Sequence, residues 1–426
     1  MLVFVINKHG EPLMPCKPQK ARKLLKQQKA KIIKHQPFTI QLIYGSSGYT
    51  QDVTLGIDTG ATHMGIAATT NDNHTVLFKG DVEFRTDIKS LLDTRRLYRK
   101  SRRSRKTRYR QPRFLNRKRK DGWLPPSLQN RINHTIQKID LFKSLLPNPK
   151  LIIEVGHFDM YRMQYPDAKG LDYQKGPEYG YYNTRHYVFT RDNYTCQLCK
   201  VKNQIFYTHH LVYKSHGGTD RASNLITLCG KCHSSDNHKP GMPLYQWMLN
   251  RKKVRNYKAP TIMNIMKRRL FTYYPDADFV YGSSTKPHLK QLGLAKSHAN
   301  DAIAITRISR IDRDKSDAHQ FKFKQFRKKK RSLHEATARK GRSVKNTTSR
   351  RNAKNTKTLK GFNLNDTVFV FGERGFISGF TGTSSCYVKS INGQYVYDKS
   401  KNYKQISLSK LITPLRHNNN WQYQIT

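Results

Sequence analysis

The sequence predicts a multidomain α/β protein, and three observations carry that prediction. Short apolar runs such as Val53–Asp58, His63–Thr70 and Leu151–Val155 read as strands, and they are interleaved with helical patterns such as Leu128–Leu146. Between residues 180 and 245 the pattern gives way to two C-x-x-C pairs, the mark of a small module built round a metal ion. From 361 to 426, Val, Phe, Tyr and Ile alternate with polar residues and Gly turns, which predicts a small β-rich domain. The chain has 426 residues, enough for two or three domains and a sizeable core.

Charge narrows the function. Lys and Arg number 80 against 28 Asp and Glu, a formal net charge of +52. A fold this basic repels itself unless a polyanion neutralises it, so nucleic acid is the expected partner. A basic scaffold of the ribosomal type is the non-enzymatic alternative. No apolar run reaches the roughly eighteen residues of a membrane span. The opening M-L-V-F-V-I-N-K has no charged leader or long apolar core, so a secretory signal is not expected. Cysteines arranged as metal ligands fit a reducing cytoplasm.

In chain order, residues 1–50 read as a small αβ unit. Leu2–Ile6 is a strand, and Pro18 opens a basic helix expected to run through Ala30. Val53–Asp58 then ends in G-I-D-T-G, which puts Asp58 at the tip of a strand beside a Gly-rich turn. An ordinary hairpin with a turn aspartate is the bland reading. Residues 95–119 hold eleven Arg, three Lys and no acid. Arg95, Arg99, Arg102, Lys106 and Arg110 recur at helical steps, so one face of a helix would carry them until Pro112 ends or kinks it. Arg forks suit phosphate, and Arg95, Arg96, Arg99, Arg102, Arg103, Arg105, Arg108, Arg110, Arg113 and Arg117 are the candidate nucleic-acid contacts.

Leu128–Leu146 carries Ile132, Ile136, Ile139, Phe142 and Leu146 at helical spacing and should be a core helix. In L-I-I-E-V, Glu154 sits inside an apolar strand, where a carboxylate is costly unless paired or bound to metal. Ile262–Phe271 reads as a helix and Phe279–Gly282 as a strand or turn. Ser297 is a good N-cap for H-A-N-D-A-I-A-I, whose His298 and Asp301 share a face three residues apart. From Arg313 to Lys360 the chain reads as a largely irregular basic segment that orders on RNA.

Cys196, Cys199, Cys229 and Cys232 can close a tetrahedral Zn²⁺ site. Disulfides are the alternative, but the spacing is metal-like and Cys16 and Cys386 stand isolated. A four-cysteine site leaves His209, His210, Asn224 and His233 for other work. Adjacent histidines in a strand point to opposite sides, so one can hold a metal while the other faces a phosphate as general base.

The order H-H, Asn, C-H between and after the two knuckles resembles the HNH nuclease module. The resemblance implies His210 as general base, His209 and His233 as ligands of one Mg²⁺, and Asn224 as the residue that pins the loop. Asp58, Glu154 and Asp301 come from three distant segments. They suit a two-Mg²⁺ site for phosphodiester hydrolysis, with His298 as support.

With P-L-M-P-C, A-R-K-L-L, G-I-D-T-G, the Arg-rich run, I-I-E-V and H-A-N-D in this order, the chain resembles the IscB family. These are transposon-encoded RNA-guided nucleases related to the large CRISPR effectors. The resemblance implies a PLMP-type domain over 1–50 and an RNase H-like (RuvC) core split into 51–92, 121–165 and 255–312. It places an Arg-rich bridge helix at 93–120 and a zinc-containing HNH (ββα-metal) module at 180–245. A basic RNA-contacting segment would follow at 313–360, and a β-rich domain that reads a short motif beside the target at 361–426. It also implies a non-coding ωRNA guide, double-stranded target DNA, and a monomeric protein within a ribonucleoprotein. HNH would cut the guide-paired strand and RuvC the displaced one.

Overall fold

A computed structural model describes residues 2–46, 48–70, 72, 74–104, 118–216, 218–250, 254, 257–317, 319–327, 358–398, 403–417 and 420–425. Of the candidate arginines, Arg105, Arg108, Arg110, Arg113 and Arg117 lie outside these residues, as does most of the 313–360 segment. The chain divides into a larger unit, Met1–His157 with Ile262–Thr426, and a smaller one, Phe158–Thr261.

The larger unit opens with β1 (Val3–Ile6), β2 (Pro12–Cys16), α1 (Pro18–Lys26), β3 (Ala30–His35) and β4 (Phe38–Leu42). They form a four-stranded sheet in the order β2-β1-β4-β3, with its own core of Val3, Val5, Ala21, Ile40 and Leu42. Here the expected helix through Ala30 is too long. Gln28 adopts φ 54°, and Ala30 pairs with Leu42 instead. Pairing of A-K-I-I-K-H with β4 overrides the helical pattern.

The central sheet has seven strands. It uses β5 (Val53–Thr59), β6 (His63–Thr70), β7 (Thr75–Glu83) and, after α2 (Ile88–Ser104) and α3 (Pro126–Lys143), β8 (Lys150–Glu154). In the smaller unit follow α4 (Met160–Gln164), α5 (Thr184–Arg191), β9 (Phe206–His210), β10 (Leu225–Cys229) and α6 (Pro243–Asn250). Beyond them come α7 (Lys258–Tyr273), β11 (Asp278–Val280), α8 (Gly282–Gln291), α9 (His298–Ile305) and β12 (Gln320–Gln325). The sheet order is β11-β8-β5-β6-β7-β12-β21, the last strand being Trp421–Ile425. β5, β6 and β7 run antiparallel in sequence, while β8 lies parallel to β5 and β11 parallel to β8.

Strand parity sorts the two faces. Leu55, Ile57, Met64, Ile66, Leu151 and Ile153 enter one large core with Ile132, Ile139 and Phe142 of α3 and Met266 and Leu270 of α7. The alternate residues face α9. A Cβ on Gly56 would stand 2.2 Å from the Ala302 carbonyl oxygen, and one on Gly65 would stand 1.8 Å from that of His298. Two glycines thus let the helix backbone lie against the sheet, a contact that a side chain would block.

Two sequence expectations change here. Gln320–Gln325, read as part of an irregular basic segment, is a sheet strand parallel to β7 whose Phe321 and Phe323 are buried. The alternation Q-F-K-F-K-Q is a half-buried strand pattern that the surrounding charge obscured. The stretch 361–426 also does not stay together. Its last strand, β21, pairs antiparallel with β12, and Tyr423 packs on Phe323 with ring centroids 4.8 Å apart.

The rest of that stretch is a β unit of β13 (Thr358–Leu359), β14 (Phe362–Asn363), β15 (Thr367–Val370), β16 (Glu373–Thr381), β17 (Ser385–Lys389), β18 (Tyr395–Val396), β19 (Gln405–Ser407) and β20 (Ile412–Arg416). Cys386 is fully buried in its core, and burial pushes the thiol up to about 11, as a packed and inert cysteine requires.

Candidate metal centres

The smaller unit holds two clusters. The sulfurs of Cys196, Cys199, Cys229 and Cys232 all lie within 4.8 Å of one another, and none is in a disulfide. Burial opposes ionisation of Cys196. Hydrogen bonds from the backbone of Cys199, Cys229 and Leu198 outweigh it and hold that thiol down at about 7. Burial and the neighbouring sulfurs push Cys232 up. Four such thiols ionise together only around a cation, and the donor set is that of a closed zinc site.

In the hairpin β9–β10, His210 pairs with Leu225 and His209 with Ile226. His209 points inward and is buried, while the His210 side chain is 27% exposed. The next turn brings up His233, and a short 3₁₀ turn, Asp236–His238, brings up His238. Donor atoms of His209, His233 and His238 all lie within 4.8 Å of one another, with His209 Nε2 3.1 Å from His238 Nε2. His238 Nδ1 donates to the Ser234 carbonyl at 2.7 Å, which leaves its Nε2 as the electron-pair face toward the cluster.

His238 was missed in the sequence because it lies beyond the recognised C-H. Its one signal was the extra histidine five residues on. Three imidazoles suit a borderline divalent ion better than Mg²⁺, which prefers oxygen donors.

On the other face of the strand, His210 Nε2 meets Asp220 Oδ1 at 2.7 Å, and Lys214 reaches the same oxygen at 2.9 Å. The hydrogen bond from His210, followed by that from Lys214, holds the exposed Asp220 carboxyl below its usual range. Asn224 closes the intervening loop. Its Oδ1 accepts from Val212 N at 2.8 Å, and its Nδ2 donates to Val212 O at 3.0 Å and Thr219 O at 2.8 Å.

The larger unit holds a carboxylate centre. Asp58, the last residue but one of β5, lies on the face of α9 and pairs in register with Glu154 at the end of β8. Ser297 caps α9 by accepting from Asn300 N. The cap orients the first turn so that His298 Nδ1 donates to Asp58 Oδ2 at 2.6 Å. Ligand atoms of Asp58, His298 and Asp301 all lie within 4.8 Å of one another, whereas Glu154 stands outside that group.

Burial raises the pKa of Glu154 and of Asp301, and the Asp58 charge adds to both. The hydrogen bond to Asp58 raises that of His298. Burial and the Asp58 charge outweigh the opposing charges of Lys296 at both carboxyls and of His298 at Asp301. Hard oxygen donors of this kind fit Mg²⁺.

Two neighbours were not read from the sequence. Asp81 pairs in register with Gly65 on the same face, accepts from Gln320 Nε2, and is raised by burial. Its signal was the alternation in T-V-L-F-K-G-D-V-E, which puts Asp81 opposite in parity to the core residues Gly80 and Val82. His63 stacks on His298 with ring centroids 5.5 Å apart and an 11° interplanar angle. Of the candidate arginines, Arg95, Arg96 and Arg99 are exposed on α2, and Arg102 and Arg103 lie further along it.

Among the described residues no helix is long and apolar enough to cross a membrane. Two families match the chain, the RRXRR protein family over residues 3–176 and the HNH endonuclease family over 196–239. Over 61 residues the chain is 34% identical to anaredoxin of Nostoc sp. (strain PCC 7120 / SAG 25.82 / UTEX 2576), an overlap of 14% of this chain and 79% of that protein. That stretch and anaredoxin therefore belong to one family. The His209–His210 hairpin lies within the HNH match, so the chain carries the domain of a nuclease that hydrolyses phosphodiester bonds. An RRXRR region of the kind found in IscB nucleases, followed by an HNH endonuclease domain, makes this chain an IscB-type protein.

Proposed function

We propose that the protein is an RNA-guided DNA endonuclease with two hydrolytic centres, one for each strand of the target. The observation that carries this reading is the convergence of Asp58, His298 and Asp301, with Glu154 in register beside them, in a chain that also has an HNH domain. A single-strand nuclease needs one such centre. The strand order and the parity of the acids support an RNase H-like, RuvC-type core.

On this reading 51–92, 121–165 and 255–312 are the three RuvC parts, α2 begins the bridge helix, and 180–245 is the HNH module. The net charge of +52 supports a polyanionic partner. We assign that partner as a guide RNA, with the protein a monomer within a cytoplasmic ribonucleoprotein.

At the HNH centre, His209, His233 and His238 would hold a divalent ion, and at the other Asp58, Glu154 and Asp301 would hold Mg²⁺. Such ions stabilise charge on phosphate oxygens and lower the pKa of bound water. His210 accepts the proton of the attacking water, and Asp220 orients its ring. Asn224 keeps the loop between the strands from moving that imidazole. His298, tied to Asp58, fixes the first turn of α9 so that Asp301 faces the strand acids.

The test is cleavage of a plasmid library with one target beside randomised flanks, with divalent metal, with and without the structured RNA transcribed beside the gene. RNA-dependent double-strand cuts are expected, with nicks only from His210→Ala or Asp58→Ala. Equal cutting without RNA would overturn guidance, and full double-strand cutting by either variant would overturn the two-centre assignment.

A further inference from the structure

A cleft opens in the larger unit, lined by none of the residues of the Asp58 centre. Its volume is about 430 Å³, in the range of small-ligand pockets. The floor is aliphatic. Val76 and Ile303 are buried there, and Leu292, Leu294 and Ile311 pack partly buried on the same cluster. The apolar cluster is therefore left open to solvent on one side.

The rim is cationic. Lys79 of β7 and Arg310 and Arg313, from the chain after α9, line it, and none makes an ion pair among the described residues. Asp317 also lines it, but its carboxylate already accepts from Leu2 N at 2.6 Å and from His319 Nδ1 at 2.9 Å. Asp312, close by in sequence, is paired with Lys315. The cleft thus carries an excess of positive charge, three cations against the one lining carboxylate of Asp317, round an apolar floor, which suits an anion with a flat or apolar body. Gln291 and Ser309 add an amide and a hydroxyl at the edge.

We propose that this cleft seats one unpaired nucleotide of the RNA that the protein carries. Its base lies on the aliphatic floor and its flanking phosphates lie on Lys79, Arg310 and Arg313. Unstacked bases of RNA loops and bulges are recognised by apolar contact and by guanidinium planes, and hydroxyl and amide groups can meet the 2′-hydroxyl and base edge. The inference rests on the guide-RNA reading and names where that RNA is gripped apart from duplex contacts.

The test uses the full-length protein and the RNA that copurifies with it, remade by transcription, with a DNA of the same sequence as a second arm. Ser309→Trp, at the exposed rim, and Leu294→Trp fill the cleft without changing charge. Arg310→Gln with Arg313→Gln removes rim charge. The filled variants should weaken RNA binding by about five-fold or more at an unchanged salt slope. The arginine pair should flatten the slope by about 1.4.

Melting temperatures like that of the parent confirm folding, and Ser309→Trp carries the test if Leu294→Trp does not fold. Parental RNA affinity in the folded filled variants would overturn the cleft assignment while leaving guidance standing. An equal loss with the DNA would overturn the choice of RNA. A parent that retains no RNA would overturn guidance and this inference together.

Discussion

His298 and Asp58, 240 residues apart in sequence, are joined by a 2.6 Å hydrogen bond that ties the first turn of α9 to the end of β5. An ionised carboxylate can only accept, so the imidazole donates, and its charged form is favoured above the ordinary value of 6.5. A His pKa raised by folding stabilises the fold below its unfolded value, and that stability is lost as pH rises through the folded value. In metal-free protein, NMR titration should place His298 above 6.5, and Asp58→Asn should lower it. An unchanged His298 pKa in Asp58→Asn would show that the bond does not form in solution.

Gly65→Ala tests how the helix is seated. A Cβ there would stand 1.8 Å from the His298 carbonyl oxygen, so the backbone of α9 must move. The variant should lose about 3 kcal/mol of stability, read by chemical denaturation, and lose cutting at the Asp58 centre before the HNH centre.

His238→Ala addresses the third imidazole. As a ligand it should lower divalent-metal affinity at the HNH centre by about 100-fold, measured by titration calorimetry, and reduce double-strand cuts to nicks as fully as His209→Ala does. His210→Ala, on the other face of the strand, should abolish cutting of the strand assigned to the HNH centre and leave nicks, with metal affinity kept within about two-fold.

The cysteine quartet predicts about one zinc per chain by elemental analysis. Cys229→Ser should lower that content and unfold the hairpin β9–β10 at a lower temperature, and a strong chelator should do the same to the parent protein. Full zinc content in Cys229→Ser would place the ion elsewhere.

Lys138 supplies a pH signature. It is 4% exposed, its Nζ lies 3.5 Å from the Phe323 ring centroid and 4.1 Å from that of Trp421, and burial, then the Lys34 charge, lowers it to about 7. Unfolding returns it to 10.5, so between these values the unfolded chain binds more protons and stability rises with pH. Lys138→Met keeps the packing and should flatten the stability profile from pH 7 to 10.5 in denaturant titrations.

The sequence by itself determined the local elements and the residue types of the centres. Spacing alone named the four cysteines, short apolar runs named β5, β6 and β8, and Ser297 announced the start of α9. Such features are local, because a turn, a strand period or a cap depends on residues within about one turn of each other.

Only the tertiary structure decided what stands beside what. Asp81 and His63 joined the carboxylate centre through strand register and ring stacking, and His238 joined His209 through a loop. Gln320–Gln325 became a strand because β7 and β21 flank it, and Glu154 stood apart from the three-residue group despite its register with Asp58. Cross-strand pairing and helix seating are set by burial over hundreds of residues of separation. No window of sequence holds both partners.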